Sequence, residues 1–183
     1  MKRVVVGGIG NIFLGDDGFG VEVAQRLAGA SLPPEVTVVD VGIRGLHLAF
    51  DLLEGCETLI LVDAMATGGA PGTVVVLEPD PTGSDGAAAL DAHSIDPQAV
   101  LAMVADMGGT IGRVLVVGCQ PASLEEGIGL SPPVTAAVPA AVETVISLVQ
   151  EACAHAGREM QYHPPTHSMR GDRHVPRHPW PAG

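Results

Sequence analysis

Gly7-Gly8-Ile9-Gly10-Asn11-Ile12-Phe13-Leu14-Gly15-Asp16-Asp17-Gly18-Phe19-Gly20 decides how this chain is read. Upstream lies the apolar run Val4-Val5-Val6. Downstream, Val21, Ala24, Leu27 and Ala28 recur at helical spacing. Strand, glycine-rich turn and helix in that order open an α/β sheet, whose ligand sites form outside the carboxyl ends of its strands. The turn does not suit a phosphate. A phosphate cradle aims backbone N–H groups and a helix N-terminus at an anion, and two adjacent carboxylates repel that anion. The dinucleotide fingerprint also fails, since Phe13 stands where a third glycine belongs after Gly8 and Gly10. The turn therefore reads as a cation site before a nucleotide site. Taken alone, Asp16 and Asp17 would serve as helix caps, a role worth about 0.5–2 kcal/mol. A cation site needs further ligands elsewhere in the chain.

Composition narrows the possibilities. The chain has 183 residues, enough for one domain with an appendage, and 46% of it is apolar. Only 3% is aromatic, so Val, Leu, Ile and Ala must fill the core. A formal charge of −12 argues against nucleic acid or an anionic membrane surface as partner. The start, Met-Lys-Arg followed by three valines and two glycines, is too short for a signal-peptide core. The longest apolar stretch, Val134–Val149, is interrupted by Pro139 and Glu143. The expectation is a cytoplasmic protein without a membrane segment. Cys56, Cys119 and Cys153 form no CxxC pair and read as small buried apolar residues.

Outward from the opening unit, the pattern predicts an α/β domain. Val4–Val6 is a strand buried on both faces, because its apolar run does not alternate. A helix follows from about Gly18 to Ala28. A second strand at Val36–Val39 leads to Asp40, the loop Gly42-Ile43-Arg44-Gly45 and a short helix over Leu46–Leu53. Thr58–Val62 is a third strand that ends at Asp63. Nine residues separate Asp63 from Thr73, too few for a crossover helix, so a strand at Thr73–Leu77 should run antiparallel to the third. A loop through Glu78–Asp91 closes at His93. Ser94 or Asp96 then caps a helix that has Pro97 in its first turn. A fifth strand, Val114–Val117, is followed by Gly118-Cys119-Gln120-Pro121. The last helix reaches about His155, with Pro139 in its first turn or at a kink. From Arg158 the composition changes to prolines, four arginines and four histidines, which predicts a disordered tail. The division is thus residues 1–157 as the domain and 158–183 as a Pro/His/Arg-rich tail.

Three side chains now converge. Asp17 follows the first strand, and Asp63 ends the third. If these strands are parallel, both carboxylates emerge at one edge of the sheet. His93 ends a loop long enough to return there. Two carboxylates and an imidazole suit a borderline divalent ion such as nickel, zinc or manganese, with positions left for water or substrate. Each also has a plainer reading: Asp63 as a turn cap, and His93 as a loop histidine bonded to backbone.

At this point a resemblance emerges. The run Gly8–Gly20, with Asp40-Val41-Gly42-Ile43-Arg44-Gly45, Leu61-Val62-Asp63-Ala64, Pro71-Gly72-Thr73, His93 and Gly127-Ile128-Gly129-Leu130-Ser131-Pro132, resembles the hydrogenase maturation proteases in order along roughly residues 1–155. The resemblance implies a single α/β domain: a five-stranded, mostly parallel twisted sheet with one antiparallel strand and helices on both faces. It implies an endopeptidase that removes the C-terminal extension of a nickel–iron hydrogenase large-subunit precursor after nickel insertion. Asp17, Asp63 and His93 would be both the metal-binding and the catalytic positions. The nickel would be supplied by the precursor, and the isolated protein could hold another divalent cation. The loop with Asp40, Gly42, Arg44 and Gly45 would select the precursor, although Val41-Gly42 departs from the glycine pair common there. Either the nickel polarises the scissile carbonyl or activates a water, or it only docks the substrate while a carboxylate acts as general base. The alternative is a non-hydrolytic nickel-binding accessory protein of hydrogenase assembly, a metallochaperone, for which the tail histidines would matter.

Overall fold

The structure is a computed structural model that describes residues 2–43, 45–79 and 97–159. His93, Arg44 and the tail beyond 159 lie outside the described residues. The chain forms β1 (Lys2–Ile9), a 3-10 turn (Gly15–Gly18), α1 (Phe19–Ala28), β2 (Val36–Gly42), α2 (Gly45–Leu52) and β3 (Cys56–Ala64). It continues through β4 (Val74–Leu77), α3 (Pro97–Asp106), β5 (Ile111–Cys119) and α4 (Pro132–Glu159). The five strands make one sheet in the order β2-β1-β3-β5-β4. β2, β1, β3 and β5 are parallel, and β4 is antiparallel. This is the mostly parallel five-stranded sheet that the sequence leads one to expect.

The neighbour of β4 is the one pairing that connection length leaves open. β4 runs opposite to β3, as the short connection requires, but its hydrogen-bonded neighbour is β5, with Val74 opposite Cys119 and Leu77 opposite Val116. β3 has no free edge to offer, because β1 and β5 already flank it. The chain therefore steps over the place later filled by β5 and lies down at the sheet edge.

Unbroken apolar strands are explained by burial on both faces. Val4, Val6, Ile60, Val62, Leu115 and Val117 point to one side, where α1 and α4 supply Phe19, Val23, Leu27, Val138 and Val145. Val5, Leu59, Leu61, Val114 and Val116 point to the other side, against Leu48 and Leu52 of α2 and Val104 of α3. α4 passes through Pro139 without ending there. A proline in a helix gives up the N–H that would reach the carbonyl four residues back. α4 is long and apolar enough to cross a membrane by length and composition, and its stripe Val134, Val138, Ala141, Val145 and Val149 is buried in the core.

From β1 the chain moves through α1 to β2 on one side, then crosses back through α2 to β3 on the other. The reversal falls between β1 and β3. The carboxyl ends of the strands at that reversal are the usual ligand position in such sheets.

Candidate active site

Asp17 and Asp63 meet at that reversal. Val62 lies in register with Gly8 of β1, which puts Asp63 at the carboxyl end of the β1–β3 pair. The 3-10 turn that carries Asp16 and Asp17 packs on the same end. Close packing there depends on missing side chains. A Cβ on Gly20 would overlap the carbonyl oxygens of Val62 and Ile9, and one on Gly10 would overlap the carbonyl of Asp17. Gly10 also has φ +133, a conformation that favours glycine. The glycines seen first in the sequence thus bring the acid-bearing turn down onto the sheet.

Both carboxylates are buried. Asp17 Oδ2 accepts the Asn11 N–H at 2.6 Å. Asp63 Oδ1 accepts the N–H of Ala64 at 2.8 Å. Burial, and then the negative charge of Asp17 beside it, push the Asp63 carboxyl up to about 8, against the smaller opposing pull of the Ala64 N–H. Two carboxylates held together out of water favour a proton or a cation between them. That chemistry fits a divalent ion. Among the described residues no group of three or more His, Cys, Asp or Glu converges on one point; the third expected donor, His93, is outside them.

Asp16 does something the sequence did not disclose. Its carboxylate is buried and accepts four hydrogen bonds: from the Ala122 N–H at 2.8 Å, the Ser123 N–H at 3.1 Å, the Ser131 N–H at 2.6 Å and the Ser131 hydroxyl at 2.9 Å. Neither helix start receives a side-chain cap bond, so the capping role read from sequence gives way to this one. Burial pushes the Asp16 carboxyl up, but the hydrogen bonds outweigh it and hold the group below the ordinary 3.8. Asp16 staples the β5–α4 loop over the site. Nothing in the local pattern could reveal this, because the partners lie more than a hundred positions away.

Gln120 is a second organiser. Its side-chain oxygen accepts the N–H groups of Thr67 at 2.7 Å and Gly68 at 3.0 Å, which ties down the loop that follows Asp63. Cys119 is fully buried, and burial, with the charge of Asp16, raises its thiol to about 11. At neutral pH it is a thiol, without the thiolate that nucleophilic attack needs.

The four positions expected to select a substrate are only partly described. Asp40 is exposed on β2 in register with Gly8. Gly42 has φ +53, and its carbonyl accepts the N–H of Gly10 at 3.1 Å, joining the β1 and β2 loops. Gly45 begins α2.

Comparison with known proteins matches the fold. Residues 21–148 match the family model described as "HycI: Hydrogenase maturation protease". The chain is 37% identical to the hydrogenase expression/formation protein HupD of Rhizobium leguminosarum bv. viciae, over 81% of its own length and 74% of that relative. It superposes on the hydrogenase maturating endopeptidase HybD from E. coli with a TM-score of 0.69 and 32% identity, covering 82% of this chain and 93% of that one. The [NiFe] hydrogenase maturation protease HycI from Thermococcus kodakarensis KOD1 superposes with a TM-score of 0.67 and 26% identity, covering 81% and 93%.

Proposed function

The chain belongs to the hydrogenase maturation proteases, and from that premise we propose that it reads the nickel of a hydrogenase large-subunit precursor through Asp17, Asp63 and His93 and then removes the precursor's C-terminal extension. The observation that carries the reading is the buried pair Asp17–Asp63 at the reversal between β1 and β3. Burial and mutual charge hold a proton on Asp63 with a value of about 8. A precursor that presents a divalent ion exchanges that proton for the ion. A precursor without metal gives the pair nothing to bind, so metal loading is the signal for processing.

The ion arrives as part of the substrate and supplies Lewis acidity toward the scissile carbonyl or a water. The protein supplies position. The Asn11 N–H orients Asp17, the Ala64 N–H orients Asp63, and the Asp16 and Gln120 bonds fix the two loops that flank them. A carboxyl group that titrates near neutral pH can also take a proton from the attacking water. The partner is the large-subunit precursor, and the working place of the protein is the cytoplasm.

The test mixes purified protein with the precursor, with and without nickel, and weighs the products by mass spectrometry. Loss of a C-terminal peptide from the nickel-loaded precursor alone is expected. Asp17→Ala and His93→Ala should stop processing with the fold intact. Full processing by both variants would sink the assignment.

A further inference from the structure

Among the described residues, four large apolar side chains are exposed on the loops around the Asp17–Asp63 edge. Ile12, Phe13, Ile43 and Ile128 are 45, 61, 71 and 82% exposed. They come from three loops, after β1, β2 and β5, and backbone hydrogen bonds tie those loops together. The Gly10 N–H donates to the Gly42 carbonyl at 3.1 Å, and the Gly127 N–H donates to the Phe13 carbonyl at 2.9 Å. The Gly15 N–H donates to the Gly127 carbonyl at 3.0 Å.

Ile128 is the most exposed of these, yet its turn is held at both ends. Gly127 makes the two bonds to Phe13 and Gly15. Asp16 grips Ala122 and Ser123 before the turn and Ser131 after it. A buried carboxylate with four donors is a firm anchor. Leaving an isoleucine in water forgoes the favourable burial of its side chain. The fold therefore holds Ile128 and Phe13 on two loops joined by backbone hydrogen bonds at Gly127, which lowers the ordering cost of binding there. The ridge is continuous with the site, since Asn11, next to Ile12 and Phe13, donates its N–H to Asp17. Its flanks are acidic: Glu125 and Glu126 precede the turn and are exposed, and Asp40 is exposed on β2.

We propose that Phe13 and Ile128 form a preorganised apolar anchor for the precursor, seating an apolar side chain of the segment to be processed while Glu125 and Glu126 attract basic residues beside it. This rests on the maturation-protease reading. The occupant it commits to is a precursor segment of mixed apolar and basic character, because the ridge is apolar, Glu125, Glu126 and Asp40 among the described residues give it acidic flanks, and it borders the carboxylate pair.

The test uses the full chain and a nickel-loaded large-subunit precursor. Equilibrium binding and cleavage are measured separately for the wild type, Ile128→Ser, Phe13→Ser, Ile128→Leu and the double change Glu125→Gln with Glu126→Gln. Sedimentation and thermal melting of each variant accompany them. The serine variants should melt like the wild type and bind the precursor roughly tenfold more weakly, with turnover at saturation unchanged. Ile128→Leu should restore binding. The double glutamine variant should bind more weakly at low salt and equally at high salt. Unchanged precursor affinity in both serine variants would overturn the anchor, and so would a loss of self-association in them with precursor affinity intact, which would make a second copy the occupant. Weakened binding in the serine variants with no cleavage by the wild type would leave the anchor standing and count against the protease reading alone.

Discussion

Asp16 and Asp63, two buried aspartates at the site, have opposite energetic characters. Asp63 binds its proton more tightly in the folded protein than in the unfolded chain, since 3.8 becomes about 8. Its contribution to stability is therefore full below pH 3.8 and is lost as pH rises to about 8. Asp63→Asn should be more stable than the wild type at pH 9 in the absence of metal, by on the order of a few kcal/mol, and melt at a higher temperature. The gap should close toward pH 4, and processing should be lost at every pH. Parallel melting curves across that range would show that Asp63 is not under strain. Asp16 behaves in the opposite sense. Its carboxyl is held below 3.8, so its contribution is present above that pH and is lost as the pH falls through the lowered folded value. Asp16→Ala strands three backbone N–H groups and a hydroxyl, and should cost about 3 kcal/mol or more in denaturant unfolding. The acids themselves could be picked out in the sequence by their place after a strand. Their division of labour could not, because it depends on donors contributed from Ala122 to Ser131.

Elements matter here through how closely they approach. α1 rests on β1 and β3 because Gly8 and Gly20 face each other without side chains; a Cβ on Gly8 would overlap the Gly20 carbonyl. Gly20→Ala should lift the start of α1, displace Asp17 with it, and cost roughly 1–3 kcal/mol by overpacking. Chemical denaturation would measure the loss, and an unaltered unfolding midpoint would contradict this packing. The loop after β3 depends instead on one carboxamide. Gln120→Ala removes the acceptor for the Thr67 and Gly68 N–H groups and should loosen that loop, seen as faster amide exchange over residues 65–70 with the strands unaffected. Strand directions were legible from connection length, as the short link from Asp63 to Thr73 shows. The partner of β4 was not, because β5 comes later in the chain, at Ile111–Cys119, and takes the inner position. At the edge, Arg113 of β5 holds Glu78, just past β4, through two bonds of 2.8 and 2.9 Å. These are exposed and add little stability, but they fit the antiparallel register.

For the whole molecule, the two function classes weighed at the outset predict different things of the tail. The maturation-protease reading places all its chemistry on the sheet edge, so a chain ending at residue 159 should process the nickel-loaded precursor at the wild-type rate. A nickel carrier that used the tail histidines would be impaired by that truncation. The sequence by itself determined the fold class: continuous apolar runs require burial on both faces of a sheet, and the glycine-rich turn followed by helical spacing sets the first strand–helix unit. It also singled out Asp17 and Asp63, since both follow strands at their carboxyl ends, and parallel strands bring such residues to one edge. Both readings rest on local spacing and on a rule of connection. Tertiary structure alone decided the rest. It set β4 beside β5, turned Asp16 from a cap into the clamp of a distant loop, gave Gln120 its loop, and left Phe13 and Ile128 exposed on two loops bonded to each other. Those outcomes depend on contacts between segments far apart in the chain, and on whether a neighbour arrives to cover a side chain, which no local pattern of residues records.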